Sequence, residues 1–322
     1  MAVQMEESHK RTDVILRGSY PALGEPLDRV GRTSSIPTSW MHRWWPSSRL
    51  RIDPLQDLII EGRYRPTTVA NFKLIPSMRA RLLANRNSVP LTFTNDLRLT
   101  VVIPIRNREA HLRELVPKLR ETLTAQRLNF RILAVEQDEH GLFNKGKLLN
   151  VGMQYAAAET DYYCLHDVDM IPLEANYLAP SQPFRLVNEL ETTWRGSSVF
   201  DPHYFAGAIS VRKHQIFAAN GFSNEYWGWG KEDDDFHFRL LLAGFVCYFD
   251  MRGRYHDLPN PEEQRVQKKQ LRKPSFLREN RARKSLLLRG LLDPAGDGLS
   301  TLSYLKVHEE TNDLYSRLRV RL

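Results

Sequence analysis

Two acidic motifs carry most of the chemistry that this 322-residue sequence is expected to perform. The first is a run of four carboxylates at 232–235, directly after a Trp-Gly-Trp-Gly turn at 227–230, and the second is the pair Asp167 and Asp169. Neighbouring like charges repel, so four consecutive acids are hard to explain by folding alone. One acidic pair that binds a metal and another that performs acid–base work indicate an enzyme acting on a metal-bound anionic substrate and a hydroxylated partner.

The Asp167-Val168-Asp169 triplet has the spacing of a shared cation site. In a turn at a strand end, alternate residues point to the same side, so both carboxylates can reach one ligand. Mg²⁺ and Mn²⁺ prefer carboxylate oxygens and leave positions for phosphate oxygens. Isolated Asp-x-Asp triplets are common in solvated turns. Here the apolar residues at 162–165 and 170–172 place the triplet at the end of a buried strand, where open α/β sheets bind ligands.

Two basic segments precede these acids along the chain. Pro104, Arg106 and Arg108 follow the first predicted strand, in the loop where nucleotides dock, and the arginines offer forked donors to phosphate or base carbonyls. Lys145 and Lys147 open a predicted helix, where their charge opposes the helix dipole and a nearby anion would explain them. Solvent-facing arginines and ordinary surface lysines are the alternatives. The loop lacks the glycines of a dinucleotide fingerprint or a Walker motif.

Part of the run at 232–235 has a structural explanation, because acids in the first turn of a helix stabilise its dipole. That explanation covers one or two of the four acids and leaves the aromatic turn before them unexplained. A carboxylate crowded by others has a raised pKa, which suits a general base poised near neutrality. His256 is a candidate metal ligand beside a carboxylate, although a lone histidine is usually a polar surface residue.

Composition narrows the class of partner and the compartment. The net charge of +8 and the pI near 9.5 indicate an anionic partner, such as nucleotide phosphates, nucleic acid or an acidic membrane surface. Nucleic acid is disfavoured, because the basic residues cluster in the C-terminal tail without interleaved aromatics. Cys164 and Cys247 are expected to be buried, reduced thiols. Without an apolar run of about 18 residues or an apolar signal core, the chain is predicted to be cytoplasmic.

The chain divides into an irregular N-terminal extension at 1–96, a central stretch at 97–258 and a basic, mostly helical C-terminal extension at 259–322. Periodicity in the central stretch predicts strands at 99–105, 130–135, 162–165, 205–211 and 245–249. It predicts helices at 109–124, 147–158 and 232–243. Alternating strands and helices predict an α/β fold with a parallel sheet and right-handed crossovers.

In this order, the motifs resemble the β-1,4-galactosyltransferase family of inverting glycosyltransferases over roughly residues 99–258. The matching segments are Pro-x-Arg-Asn-Arg at 104–108, Phe-Asn-Lys-x-Lys-Leu-x-Asn at 143–150, Asp-Val-Asp at 167–169, Tyr-x-x-Gly at 204–207, and the specific Asn-Gly-Phe to Trp-Gly-Trp-Gly-x-Glu-Asp-Asp segment at 220–234. The His256-Asp257 ending is most similar to the branch that adds galactose to xylose on proteoglycan linkers.

The resemblance implies a GT-A fold, a mostly parallel Rossmann-like sheet with flanking helices, UDP-galactose as donor and Mn²⁺ as cofactor, with Mg²⁺ as an alternative. It makes Asp233 the general base and Glu232 its catalytic neighbour. The residues that the resemblance implies for donor binding are Pro104, Arg106, Arg108, Phe143, Lys145, Asp167, Tyr204 and Trp229. Those implied for acceptor binding are Trp229, Gly230, Glu232 and Asp234. The implied metal ligands are Asp169 and His256.

Three positions depart from the family pattern. Arg254 stands where one branch has a further metal ligand, so the metal has fewer protein ligands, or Met251 or Asp257 substitutes, or metal dependence is weaker. Lys145 replaces an arginine, which keeps the charge and loses the fork. Ala206 replaces a glycine beside the sugar.

The resemblance leaves donor, acceptor and location open. A transferase for UDP-GalNAc or UDP-glucose in a polymer-forming system, and a non-catalytic sugar-binding homologue, are the alternatives. Without the membrane anchor and disulfides of the animal enzymes, a bacterial-type cytoplasmic enzyme of surface-polysaccharide synthesis is expected, acting on a glycan or lipid-linked glycan. A basic tail would bind it peripherally to the inner face of an anionic membrane. The tail comprises Arg265, Lys268, Lys269, Arg272, Lys273, Arg278, Arg281, Arg283, Lys284 and Arg289.

Overall fold

The computed structural model describes residues 15–17, 63–67, 77, 90–138, 140–192, 198–199, 204–259 and 275–322. Most of the predicted N-terminal extension therefore lies outside the described residues, as do the tail residues Arg265, Lys268, Lys269, Arg272 and Lys273.

Helices and strands alternate through the centre of the chain, as the periodicity predicted. Within the described residues the α-helices are α1 Glu109–Ala125, α2 Lys145–Tyr155, α3 Lys213–Ala218, α4 Glu232–Leu242 and α5 Ser275–Leu288. The strands are β1 Ile15–Arg17, β2 Tyr64–Pro66, β3 Phe93–Thr94, β4 Arg98–Ile105, β5 Asn129–Gln137, β6 Tyr162–His166, β7 Met170–Glu174, β8 Ala179–Pro180, β9 Phe184–Arg185, β10 Glu189–Thr192, β11 Ser198–Val199, β12 Ala208–Arg212, β13 Tyr248–Asp250, β14 Arg254–Asp257, β15 Ser303–Thr311 and β16 Ser316–Arg321.

A ten-stranded sheet in the order β1-β15-β16-β5-β4-β6-β12-β9-β13-β2 forms the centre of the molecule. Its middle strands β16, β5, β4 and β6 are parallel, which confirms the predicted parallel strands. Strand β12 is antiparallel to β6, so the sheet is mixed rather than mostly parallel beyond this core. In β4, Val101 and Ile103 pack on the face with α1 residues and Val102 packs on the face with α2 residues. Both faces are covered, which explains the continuous apolar run.

The carboxyl ends of the parallel strands bring the distant motifs together. Strand β4 ends just before Arg106, and β6, its neighbour in the sheet, ends just before Asp167. Such adjacent strand ends are where open α/β sheets bind ligands. A second sheet in the order β11-β10-β14-β7 begins directly after Asp169. Its antiparallel pair β14 and β7 places His256 opposite Ile171.

The C-terminal stretch was predicted to be mostly helical, and this is wrong beyond α5. Residues 303–321 form the hairpin β15–β16, and β16 extends the central sheet parallel to β5. In β16, Leu318 and Val320 are buried while arginines occupy the positions between them. This alternation has the period of a strand, and the many basic residues obscured it. The boundary at residue 258 stays a prediction, but the pairing of β16 ties the last residues to the central sheet.

Two further predictions concern burial. Cys164 and Cys247 are buried free thiols, as expected, and burial raises the pKa of both thiols. In the part of the chain that the structure describes, every helix is too short or too polar to cross a bilayer.

Candidate active site

One lysine side chain joins the two acidic motifs. The Nζ atom of Lys145 lies 3.3 Å from Asp167 Oδ1, 3.2 Å from Glu232 Oε1 and 2.8 Å from Asp233 Oδ2. Lys145 is the first residue of α2, whose N-terminus is capped by the side chain of Asn144. The anion that was expected near this helix start is therefore a group of three carboxylates.

The charges in this cluster do not balance. Burial disfavours the ammonium of Lys145, but Asp167, Asp233 and Glu232 outweigh burial and raise its pKa well above the ordinary value. Burial also raises the pKa of Asp233 well above its ordinary value, with Lys145 opposing the shift and Glu232 and Asp167 adding to it. One ammonium faces three carboxylates, so the neighbouring negative charges make the Asp233 carboxylate more basic than a free one. A carboxylate with a raised pKa is suited to accept a proton as a general base.

Tyr204 lies beside the same cluster. Desolvation raises the pKa of its phenol well above the ordinary value, and Asp233 adds to this shift while Lys145 opposes it. The Nη1 atom of Arg185, a fully buried residue, donates a hydrogen bond to the Tyr204 carbonyl. Tyr204 is 40% exposed, which leaves part of its side chain accessible to a ligand.

The other two acids of the run have structural partners. Asp234 accepts hydrogen bonds from Lys284 at 2.6 Å and Lys231 at 3.0 Å, and these outweigh burial and lower its pKa. Asp235 accepts a hydrogen bond from the Tyr226 hydroxyl at 2.9 Å and pairs with Arg239. Folding thus explains two of the four acids through side-chain partners as well as helix position. The acceptor contact predicted for Asp234 stays a prediction.

The aromatic turn before α4 has a constrained backbone. Gly228, Gly230 and Lys231 have φ values of 77°, 97° and 83°, in the left-handed region that favours glycine. The Gly228 N–H donates to the Phe143 carbonyl at 2.8 Å. Trp229, at the centre of the turn, is 51% exposed, so its ring is available to a sugar.

The predicted nucleotide residues surround the end of β4. The guanidinium of Arg106 lies 5.4 Å from the centroid of the Phe143 ring and donates to the Gly141 carbonyl at 2.8 Å. Pro104 is buried in β4, and Arg108 interacts electrostatically with Asp169. The segment that begins at Phe143 leads directly into Lys145, so these residues border the carboxylate cluster.

The two predicted metal ligands lie close together in the backbone of the second sheet: Asp169 directly precedes β7, and His256 lies in β14. The Asp169 carbonyl accepts a hydrogen bond from Leu258 N at 2.8 Å, and His256 is paired with Ile171 across β14 and β7. The backbone of Asp169 is thus bonded to the residue two positions after His256. Burial, and then the charge of Asp167, raises the pKa of Asp169. Two carboxylates crowded in this way favour a cation.

Arg254 does not complete a metal site. Its guanidinium lies 3.9 Å from Glu174 and 3.7 Å from Glu191, and its side chain is 46% exposed. Among the described residues, no group of three or more His, Cys, Asp or Glu side chains could hold a metal ion. Mn²⁺ and Mg²⁺ commonly bind through one or two protein groups together with substrate phosphates and water. Asp169 and His256 fit that arrangement, with fewer protein ligands.

The parallel core of β4, β5 and β6, with acidic residues at the carboxyl ends of its strands, is typical of a GT-A glycosyltransferase fold. A model described as the N-terminal region of glycosyl transferase group 7 matches residues 62–179, and one described as the N-terminal domain of galactosyltransferase matches residues 196–259. The chain belongs to the β-1,4-galactosyltransferase family.

Curated relatives carry the same family name. β-1,4-Galactosyltransferase 1 of Bos taurus is 29% identical over 265 residues, which cover 78% of this chain and 60% of the relative. β-1,4-Galactosyltransferase 3 of Cricetulus griseus is 33% identical over 234 residues, which cover 69% and 54%. This chain thus matches little more than half the length of these relatives.

Solved structures support the fold. The catalytic domain of Drosophila β-1,4-galactosyltransferase 7 in complex with xylobiose is 27% identical, with a TM-score of 0.57, over 70% of this chain and 94% of that one. A mutant of the same enzyme in complex with manganese, UDP-Gal and xylobiose has a TM-score of 0.56 at 27% identity.

The assignment of Lys145 to donor binding stays a prediction, whereas its contacts with three acids were not anticipated from the sequence. Sequence reasoning also gave α5 no part in the site, although Lys284 contacts Asp234. The position of a lysine at a helix start was the signal that could have indicated the acid contacts of Lys145. The basic, leucine-rich tail offered no signal for the contact of α5 with Asp234.

We predict that Lys145→Met lowers the free energy of unfolding by roughly 3 kcal/mol at pH 8, because it leaves three carboxylates without their ammonium. The raised pKa of Lys145 keeps that charge throughout the neutral range, so the pH dependence comes from the carboxyl groups. Their protonation relieves the repulsion, and the difference from wild type should narrow toward pH 5. Urea unfolding at both pH values measures it. Lys145→Arg, which keeps the charge, is the control, and a difference independent of pH would contradict the account.

Proposed function

We propose that the chain is a metal-dependent inverting glycosyltransferase that moves galactose from UDP-galactose to a hydroxyl group of a glycan, in β linkage and, by its family, at O4. The observation that carries this proposal is the contact of Lys145 with Asp167, Glu232 and Asp233 at the ligand edge of the sheet. The Drosophila relative whose complex contains manganese, UDP-Gal and xylobiose supports the donor, the cofactor and a sugar acceptor.

In the proposed reaction Asp233 is the general base for the acceptor hydroxyl, and UDP is the leaving group. Asp233 accepts the proton of the acceptor hydroxyl while that oxygen forms a bond to the anomeric carbon of the donor sugar. The bond from that carbon to the diphosphate oxygen breaks, and UDP leaves with the electron pair. Attack from the face opposite the leaving group inverts the anomeric centre. Asp233 suits this role because burial raises its pKa.

The remaining residues bind and orient the substrates. Pro104, Arg106, Arg108 and Phe143 bind the nucleotide, and Tyr204 and Trp229 border the sugar. Glu232 holds the acceptor close to Asp233. Lys145 keeps Asp167, on the donor side, next to the two acids on the acceptor side. Asp169 and His256 would hold the metal, which when bound supplies positive charge to neutralise the leaving diphosphate.

The alternatives are less well supported. A non-catalytic sugar-binding homologue does not require a buried carboxyl group with a raised pKa, and the cluster contains one. UDP-GalNAc and UDP-glucose remain alternative donors within the same mechanism. A screen of UDP-sugars with Mn²⁺ that measures both UDP release and donor hydrolysis tests the proposal. UDP release from UDP-galactose that requires a sugar acceptor supports it, whereas release from another UDP-sugar alone would overturn the donor assignment.

The first prediction of the proposal concerns the base. Asp233→Asn is nearly isosteric and cannot accept the proton, so kcat should fall by about 10²–10⁴-fold while UDP-galactose affinity is retained. Steady-state kinetics and donor titration measure the two effects. Glu225→Gln is the matched control, because Glu225 is an exposed acid outside the cluster, and its kcat should stay unchanged. An unchanged kcat in Asp233→Asn would move the base to another acid.

The second prediction concerns the metal. Asp169→Ala should abolish transfer and weaken UDP-galactose binding, because it removes an anionic ligand beside the diphosphate. His256→Ala should lower Mn²⁺ affinity by about 10–10²-fold without a matching loss of thermal stability. Mn²⁺ titration followed by electron paramagnetic resonance measures the affinity, with Arg254→Ala as the control that should leave it unchanged. Full activity of chelator-treated wild type would contradict the metal assignment.

The acceptor and location form the finer part of the proposal. Arg278 and Arg281 of α5 and Arg289, just after its end, are exposed, and Leu286 and Leu291 in the same stretch of chain are 39% and 60% exposed. A surface that combines basic and apolar side chains suits an anionic membrane. Peripheral binding at the inner face of a membrane would bring the site to a lipid-linked glycan, in agreement with the predicted cytoplasmic location.

The third prediction concerns this surface. Replacing Arg278, Arg281 and Arg289 by Gln should weaken binding to anionic vesicles by about 10²-fold, since each basic residue near the surface contributes about 1 kcal/mol. Co-sedimentation with phosphatidylserine vesicles at rising salt measures the binding. The control removes equal charge from another exposed surface, by changing Arg113 and Lys118 of α1 and Arg127, two residues after its end, to Gln. Equal binding to neutral vesicles, or none to either, would overturn the membrane contact.

A further inference from the structure

Helix α5 contacts the turn that directly precedes Glu232 and Asp233. This helix lies beyond the residues that the family models match, which end at residue 259. We propose that Asn280 of α5 is a positioning residue that fixes the turn at 227–231, so that Trp229, Glu232 and Asp233 face the acceptor. The inference rests on the proposed function for its kinetic consequence, while the contact itself does not depend on that function.

The amide of Asn280 bridges two carbonyl groups of the turn. Its Nδ2 atom lies 3.1 Å from the Trp227 carbonyl oxygen and 3.0 Å from the Gly230 carbonyl oxygen. A side-chain amide nitrogen has two hydrogens, so one group satisfies both acceptors. Asn280 is 3% exposed, which shields both bonds from water. The two carbonyls flank Trp229, and the bridge therefore sets the width of the turn at the residue expected to contact the sugar.

Two more contacts from α5 reach this turn and the start of α4. The ring of Phe276 lies so close to Gly228 that a Cβ atom there would come within 2.7 Å of it. Lys284 donates to the Asp234 carboxylate at 2.6 Å, one residue after Asp233. Phe276, Asn280 and Lys284 are spaced four residues apart, so one face of α5 makes all three contacts.

The opposite side of the turn is held by the donor side of the site. The Gly228 N–H donates to the Phe143 carbonyl, and Phe143 precedes Lys145 by two residues. The turn thus lies between α5 and the segment at 143–145, which borders the residues proposed to bind the nucleotide. Loss of the α5 contact should disturb acceptor binding and the position of Asp233, while the residues that bind the nucleotide keep their own contacts. This separation distinguishes a positioning role from a general loss of folding.

The experiment compares Asn280→Asp and Asn280→Ala with wild type. Asp has the same shape without the two N–H donors, and Ala removes the donors without adding charge. Both variants should raise hydrogen exchange at the amides of 227–231 by about tenfold or more. Both should also raise the acceptor KM and lower kcat, so that kcat/KM for the acceptor falls by about 10–10²-fold. Affinity for UDP with Mn²⁺ should stay within about twofold of wild type, since the residues proposed to bind the nucleotide are untouched.

Glu279→Gln, at the exposed neighbouring position of α5, is the control and should leave exchange and kinetics unchanged. Unchanged exchange at 227–231 in both Asn280 variants would overturn the inference, whatever the activity. A proportional loss of UDP affinity and kcat with raised exchange throughout the protein would also overturn it, because that result indicates a structural role only. If wild type transfers no sugar but both Asn280 variants still raise hydrogen exchange at 227–231, the proposed function is overturned and the contact of Asn280 with the turn is established.

Discussion

The site depends on one ammonium group that contacts three carboxylates from two distant segments. Asp167 follows strand β6, whereas Glu232 and Asp233 begin helix α4, and Lys145 lies between them at 2.8–3.3 Å. Without this charge the acids would repel one another in a poorly solvated place. Lysine at a helix start is unfavourable for the dipole, and the three acids more than compensate for it. The same contact that makes the cluster foldable also places a donor-side acid beside the proposed base.

A buried polar network supports the metal side of the site. The Tyr177 hydroxyl lies 3.0 Å from His166 Nε2 and 3.1 Å from the Tyr255 hydroxyl. His166 precedes Asp167 and Tyr255 precedes His256, so one hydroxyl joins the two segments that carry the proposed donor and metal contacts. Burial lowers the pKa of His166 to about 4, which keeps the imidazole neutral near pH 7. The network therefore positions these segments without adding charge next to the proposed metal ligands.

The sequence pattern predicted the long helices and strands whose apolar residues repeat regularly. Helix α1 was predicted at 109–124 and is found at Glu109–Ala125, and β4 was predicted at 99–105 and is found at Arg98–Ile105. Both have long, regular apolar repeats. The short strands β8 to β11 were missed, because two to four residues carry too little pattern and their pairing is set by distant partners. The hairpin β15–β16 was missed because arginines that alternate with apolar residues were interpreted as a basic helix.

The candidate site was predictable as a set of residues and not as an arrangement. Motif order indicated Asp167, Asp233 and their neighbours, and the structure brings these together. The positions of Lys145 and Asn280 depend on packing between segments far apart in the chain, which periodicity and spacing do not report. The location of the chain and its membrane contact stay predictions.

The stereochemistry of the product tests the central claim most directly. Wild type, Mn²⁺, UDP-galactose, which carries its sugar in α linkage, and an accepted glycan would be incubated, and the new glycosidic linkage assigned by proton NMR. An arrangement in which Asp233 activates the acceptor on the face opposite the diphosphate predicts a β-galactoside. An α-galactoside would contradict it, since retention of configuration requires a different disposition of the acids around the anomeric carbon.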